Sequence, residues 1–137
     1  MKHLITILIS TLFAANVFAH EGHDHDAPVS VKPVKGGIVR SLEELNVEVV
    51  TKGKDVTIYM FDHDMKPRKT EGLKVTAEAE LPRKKGKSVL VLKDNGDHYT
   101  TVYDAKNAHR YDLKLKIFDP KVGHDDDLKF TIEPRRN

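Results

Sequence analysis

Residues 45–67 read LNVEVVTKGKDVTIYMFDHDMKP. Leu45, Val47 and Val49 alternate with Asn46, Glu48 and Val50. Val56, Ile58 and Met60 alternate with Thr57, Tyr59 and Phe61. A period of two sets one side of each segment against a core, as in half-buried strands. Lys52-Gly53-Lys54-Asp55 lies between them, and a short loop containing glycine closes a hairpin. Pro67 cannot donate to a ladder and ends the second strand, just after the charged tripeptide Asp62-His63-Asp64.

Working outward, the same period recurs. Leu73, Val75, Ala77, Ala79 and Leu81 alternate with polar residues, and so do Tyr111, Leu113, Leu115 and Ile117. Residues 88–93 are nearly all apolar and read as a strand buried on both faces. Residues 98–103 are rich in β-formers, Ile38-Val39 makes a short first strand, and Leu128, Phe130 and Ile132 make the last one. Asp94-Asn95-Gly96-Asp97 is a turn, and Asp119-Pro120 opens a longer one. About eight short strands with evenly spaced turns and no helix predict an all-β chain. The expected architecture is an antiparallel immunoglobulin-like sandwich of 7–8 strands, lacking the usual disulfide and core tryptophan. Val47, Val49, Val56, Ile58, Val75, Leu113, Leu115 and Phe130 are its predicted core.

The 137 residues suit one domain, divided as 1–19 signal peptide, 20–34 flexible tail and 35–137 sandwich. Residues 1–19 combine a charged start, an apolar run too short to span a bilayer and the small-residue end Val17-Phe18-Ala19. With no cysteine near that end, no lipid anchor is expected, and in a Gram-negative cell the product would be periplasmic with no membrane anchor after processing. The absence of any cysteine rules out disulfides and thiol redox chemistry. The formal net charge is +2, and removing residues 1–19 takes away only Lys2 and His3. So balanced a chain offers no field for nucleic acid.

Residues 20–26 read HEGHDHD and supply the strongest metal-ligand signal. Cleavage after Ala19 puts His20 at the amino terminus, where the amine and its own imidazole chelate Cu(II) together, with His23, His25 and Asp24 at hand. A second candidate set is Asp62, His63 and Asp64, since imidazole and carboxylate suit zinc and copper. Asp and Asn also cap turns, which explains that loop without a metal. Asp125-Asp126-Asp127 resembles a calcium-ligand run but lacks the rest of a calcium loop. The cofactor expectation is therefore Cu(II) or Zn(II). No catalytic residue is assigned: there is no cysteine nucleophile, no G-x-S-x-G and no triad-like grouping around Ser30, Ser41 or Ser88.

Counting strand directions sorts the loops by end. Glu43-Glu44, Asp62-His63-Asp64, Asp94 to His98 and Asp119 to Asp127 fall at one end, with His63, His98 and His124. Lys52 and Lys54, Arg83-Lys84-Lys85-Lys87, and Lys106 with Arg110 fall at the other. The first end is thus expected to be acidic and the second basic, although Lys66, Arg68, Lys69 and Lys121 blur the contrast.

Gly36-Gly37-Ile38-Val39, Asn46 to Val50, and the run from Val56 through Asp62-His63-Asp64-Met65-Lys66-Pro67 resemble a group of small exported bacterial proteins with a D-H-D-x-K-P loop. The group is similar to N-terminal regions of periplasmic adaptor proteins of heavy-metal efflux systems. The resemblance covers roughly the first half of the mature domain and implies an efflux-associated role, with a metal ion and an envelope protein as partners. The group often carries histidine just before the double glycine and another where the second strand begins; here those positions are Lys35 and Asn46. The expected function is metal scavenging, delivery or efflux support. The alternative is a metal-independent interaction module that docks partners through strand edges or charged ends.

Overall fold

The computed structural model describes residues 31–134, which form two stacked antiparallel sheets and no helix. The strands are β1 (Ile38–Ser41), β2 (Asn46–Lys52), β3 (Asp55–Phe61), β4 (Lys74–Glu80), β5 (Ser88–Leu90), β6 (Lys93–Asp94), β7 (His98–Val102), β8 (Tyr111–Phe118) and β9 (Asp125–Ile132). One sheet has the order β1-β2-β3-β7-β6 and the other β5-β4-β8-β9. Setting β1 aside, β2-β3-β7-β6 matches the A-B-E-D sheet of an immunoglobulin sandwich, and β9-β8-β4 matches G-F-C, with β5 beside C as C′.

The hairpin that opens the sequence is β2–β3, with Val47 opposite Met60 and Val49 opposite Ile58. Those side chains face sheet two and meet Ala77, Leu113, Leu115, Ile117 and Phe130 in the core. Every predicted core residue is buried except Val75, which is half-buried and packs against that core.

Two sequence expectations are overturned. Residues 88–93 are not a strand buried on both faces. The chain leaves sheet two after Leu90 and joins sheet one at Lys93, forming a side wall of the sandwich. Leu90 and Leu92 pack on the core while Val89 and Val91 stand in solvent, because each half of the run is an edge strand with an uncovered side. The second correction concerns Asp125-Asp126-Asp127, which belong to β9 rather than to the preceding turn. They lie opposite Phe118, Ile117 and Lys116 on the outermost strand of sheet two, where charge discourages pairing with another chain.

Candidate functional site

The Asp62-His63-Asp64 loop is built as a turn. One Asp62 carboxylate oxygen accepts the N–H groups of Asp64 and Lys66, both at 2.9 Å. Asp62 N–H donates to the Lys66 carbonyl, and Met65 takes the left-handed conformation (φ 58°) that such a tight turn requires. A bridge between Phe61 and Pro67 closes the loop at its base, and the Asn46 side-chain amide donates to the Asp62 carbonyl at 3.0 Å. Asp62 thus spends part of its carboxylate on its own loop, while His63 and Asp64 are exposed.

The loops sort as strand direction predicts. Arg68 donates to the Glu44 carbonyl and pairs with Asp119, and Thr70 N–H donates to the Gly96 carbonyl. These contacts gather the loops before β2, after β3, before β7 and after β8 at one end. At the opposite end Tyr103 N–H donates to the Lys54 carbonyl, and the Lys54 ammonium pairs with Asp104 at 2.8 Å. Sharing an end does not make the histidines converge. His98 Nδ1 lies 2.5 Å from Asp97, and His124 Nε2 lies 3.3 Å from Asp126. Among the described residues no three His, Asp or Glu side chains come together to hold a metal. At the same end the Thr70 hydroxyl, 2.5 Å from Asp94, and the Gly96 N–H hold the Asp94 carboxyl below its ordinary range.

A second feature went unread in the sequence. Val39, Glu48, Tyr59 and His98 are direct cross-strand neighbours on β1, β2, β3 and β7. They form one row on the face of sheet one opposite the core. Glu48, alternating with core valines, reads as a solvent-facing residue, yet it is 0% exposed. Residues 34–37 cross over it, and its carboxylate accepts the N–H groups of Val34 (2.9 Å), Lys35 (2.9 and 3.1 Å) and Gly37 (2.7 Å). The double glycine is what permits this approach. A Cβ on Gly37 would lie 2.3 Å from the Val49 carbonyl oxygen, and Gly36 sits at φ +80°. The Lys35 ammonium stands 5.4 Å from the centre of the Tyr59 ring, which is 5.3 Å from the His98 ring. The anchor of residues 34–37 and His98 therefore occupy one row. The sequence signal was the pairing of Gly36-Gly37 with an acidic residue inside an apolar strand. Lys35 falls at this anchor and Asn46 at the start of β2.

His20, His23, Asp24 and His25 lie outside the described residues. Comparison of the chain with protein-family models, curated proteins and solved structures finds no match.

Proposed function

We propose that this chain is an exported, periplasmic metal-binding accessory protein for copper or zinc, serving scavenging, delivery or efflux. The observation that carries this reading is the buried Glu48 carboxylate gripping the backbone of residues 34–37. It fastens to the sandwich the segment that follows His20, His23, Asp24 and His25, so the sandwich serves as a carrier for those ligands. A ligand set of amine, imidazole and carboxylate suits Cu(II) and Zn(II). The Asp62-His63-Asp64 loop is a weaker candidate, because Asp62 is engaged by its own turn. Titration of the processed protein with Cu(II) and Zn(II) tests the reading, with Cu(II) expected to bind more tightly. Deleting residues 20–26 should abolish the tight phase, and one extra residue before His20 should weaken Cu(II) by displacing the amine. Unchanged affinity after the deletion would remove the tail from consideration.

The alternative, a metal-independent interaction module, is favoured by the side wall. Val91 is 88% exposed and Val102 63%, and both line one open groove with Lys93, Thr100 and Thr101. β6 pairs only with Tyr99 and Thr100, so its ladder stops short of Val102. An extended, apolar segment of an envelope protein adds naturally to such an edge. Lysine at positions 91 and 102 should abolish that docking and leave Cu(II) binding intact.

A further inference from the structure

We infer that the basic end of the sandwich docks on a bilayer surface carrying anionic headgroups, with Val89, Val91 and Val102 as its apolar rim. This stands apart from the metal reading and concerns where the body works. Register sets the connections of that end side by side. Asp55 opposite Val102 brings the turn between β2 and β3 beside the loop after β7, and Glu80 opposite Asp112 brings the loop after β4 beside the residues before β8. Lys52, Arg83, Lys84, Lys85, Lys106 and Arg110 are all exposed there. Lysines around sheet two have carboxylate partners: Lys87 has Glu78, Lys114 has Glu80 and Lys129 has Asp112. In or beside the end connections the remaining carboxylates are Asp55, Asp104 and Glu133, and Asp104 is matched by Lys54. Cations in excess on protruding turns make a positive field that a planar anionic surface meets all at once.

Two further observations narrow the partner. The described residues leave four large apolar side chains exposed, and Val89, Val91 and Val102 are three of them. Val89 lies in β5 just after the Arg83-Lys84-Lys85 loop, Val102 ends β7 where the Lys106 loop begins, and Val91 shares a groove with Val102. Single exposed valines need no explanation, but three gathered against a cationic end form the mixed apolar and basic border of a membrane-surface binder. A dissolved polyanion would use the cations alone. Nucleic acid would stack on exposed rings, whereas Tyr103 and Tyr111 at this end pack on each other at 4.7 Å, with Tyr111 buried. The second observation is the backbone. Arg83 and Lys106 sit at φ 60° and 48°, left-handed positions that glycine would occupy with less strain. Cations held in such positions are held for their side chains.

Vesicle binding tests the inference on the processed protein. It should cosediment with vesicles of phosphatidylcholine mixed with phosphatidylglycerol and stay free of pure phosphatidylcholine. Most of it should be released at about 1 M salt, where screening acts within about 3 Å. Arg83→Gly, Lys84→Ala and Lys85→Ala together keep the left-handed turn and should weaken binding about 100-fold, since each cation at an anionic surface contributes about fivefold. The urea midpoint of this variant should match the parent, which separates lost binding from lost folding. Orientation is read with a dye. The chain has no cysteine, so Val91→Cys and Asp64→Cys each carry a single environment-sensitive label. The label at 91 should shift to the blue on the anionic vesicles, and the label at 64, at the acidic end, should not. Failure to cosediment, equal binding to both kinds of vesicle, or a triple variant that binds like the parent would overturn the inference. A shift at 64 as large as at 91 would overturn it too. Binding without a shift at 91, matched by equally tight binding to heparin in solution, would assign the cations to a dissolved polyanion instead.

Discussion

Arg68 and Asp119 form a 2.6 Å ion pair that ties the loop after β3 in one sheet to the turn after β8 in the other. Only 17% of the Arg68 side chain and 3% of the Asp119 side chain meet solvent. Asp119 also accepts the Lys121 N–H at 2.9 Å, and Arg68 donates to the Glu44 carbonyl at 3.2 Å. Three connections of the acidic end are thus held by one charged pair.

Arg68→Ala leaves the Asp119 carboxylate sequestered without its cation. A loss of roughly 3–5 kcal/mol is expected in urea unfolding, the usual cost of breaking a buried pair by removing one partner. Lys54→Ala is the contrast, because the Lys54–Asp104 pair is well exposed on both sides. It should cost far less than Arg68→Ala, because solvent screens an exposed pair. Equal losses for the two variants would show that burial does not set the strength of the Arg68 pair.

Acid should destabilise the domain through the same carboxylate. Burial works to raise the Asp119 pKa, but the Lys121 N–H and the Arg68 guanidinium outweigh it and leave the group below its ordinary range. A lowered folded-state pKa contributes stability that is complete above the unfolded value, near 3.9, and is lost as pH falls through the folded one. Urea midpoints should therefore be flat above about pH 5 and fall below about pH 4. Asp119→Asn should be less stable at neutral pH and show a shallower acid slope. An acid slope unchanged by Asp119→Asn would assign the effect to other carboxylates.

Glu48 is the anchor of residues 34–37, so removing its acceptors strands three N–H groups. Glu48→Ala should cost roughly 2–5 kcal/mol, since each buried unsatisfied donor costs about 1–3 and water recovers some of them. Amide exchange at Val34, Lys35 and Gly37 should accelerate together, well before exchange in β8. Unchanged protection at those three amides would mean that the carboxylate does not hold them.

Gly37→Ala should be more damaging than Gly36→Ala. The added Cβ at 37 collides with the Val49 carbonyl oxygen, part of a strand that cannot recede, whereas at 36 it meets open space and pays only for the left-handed backbone. Expected losses are roughly 2–3 kcal/mol for the first and about 1 kcal/mol for the second. Thermal unfolding of the two variants side by side reads the difference, and a reversed order would contradict the packing at Val49.

The sandwich was legible because Val47, Val49, Val56 and Ile58 repeat every two residues and one covered face is enough to produce that repeat. The side wall was not. In Val89-Leu90-Val91-Leu92 both faces are apolar, and periodicity alone cannot reveal that only the leucines are covered. The onset of β9 was hidden because three aspartates are poor strand formers, tolerated here on an outermost strand. Glu48 was hidden for a different reason. Alternation reports which side of a strand faces the core, and says nothing of a later segment roofing the other side. At the candidate site, the turn chemistry of Asp62 was readable as one of two alternatives, whereas the row from Glu48 to His98 needed the β3–β7 register, which no local pattern encodes.

That register has a consequence for the order of assembly. β7 reaches β3 only by closing a loop that contains all of β4, β5 and β6, so completing the first sheet encloses strands of the second. The hairpins β2–β3 and β8–β9 are local and can form early, while the β3–β7 and β4–β8 pairings each bear the entropy of a long closure. The two layers should therefore fold and unfold as one unit, without a half-built sandwich at equilibrium. His98 comes beside Tyr59 only when that long-range pairing forms, so a property that needs both residues requires β3 and β7 together and belongs to neither local hairpin alone.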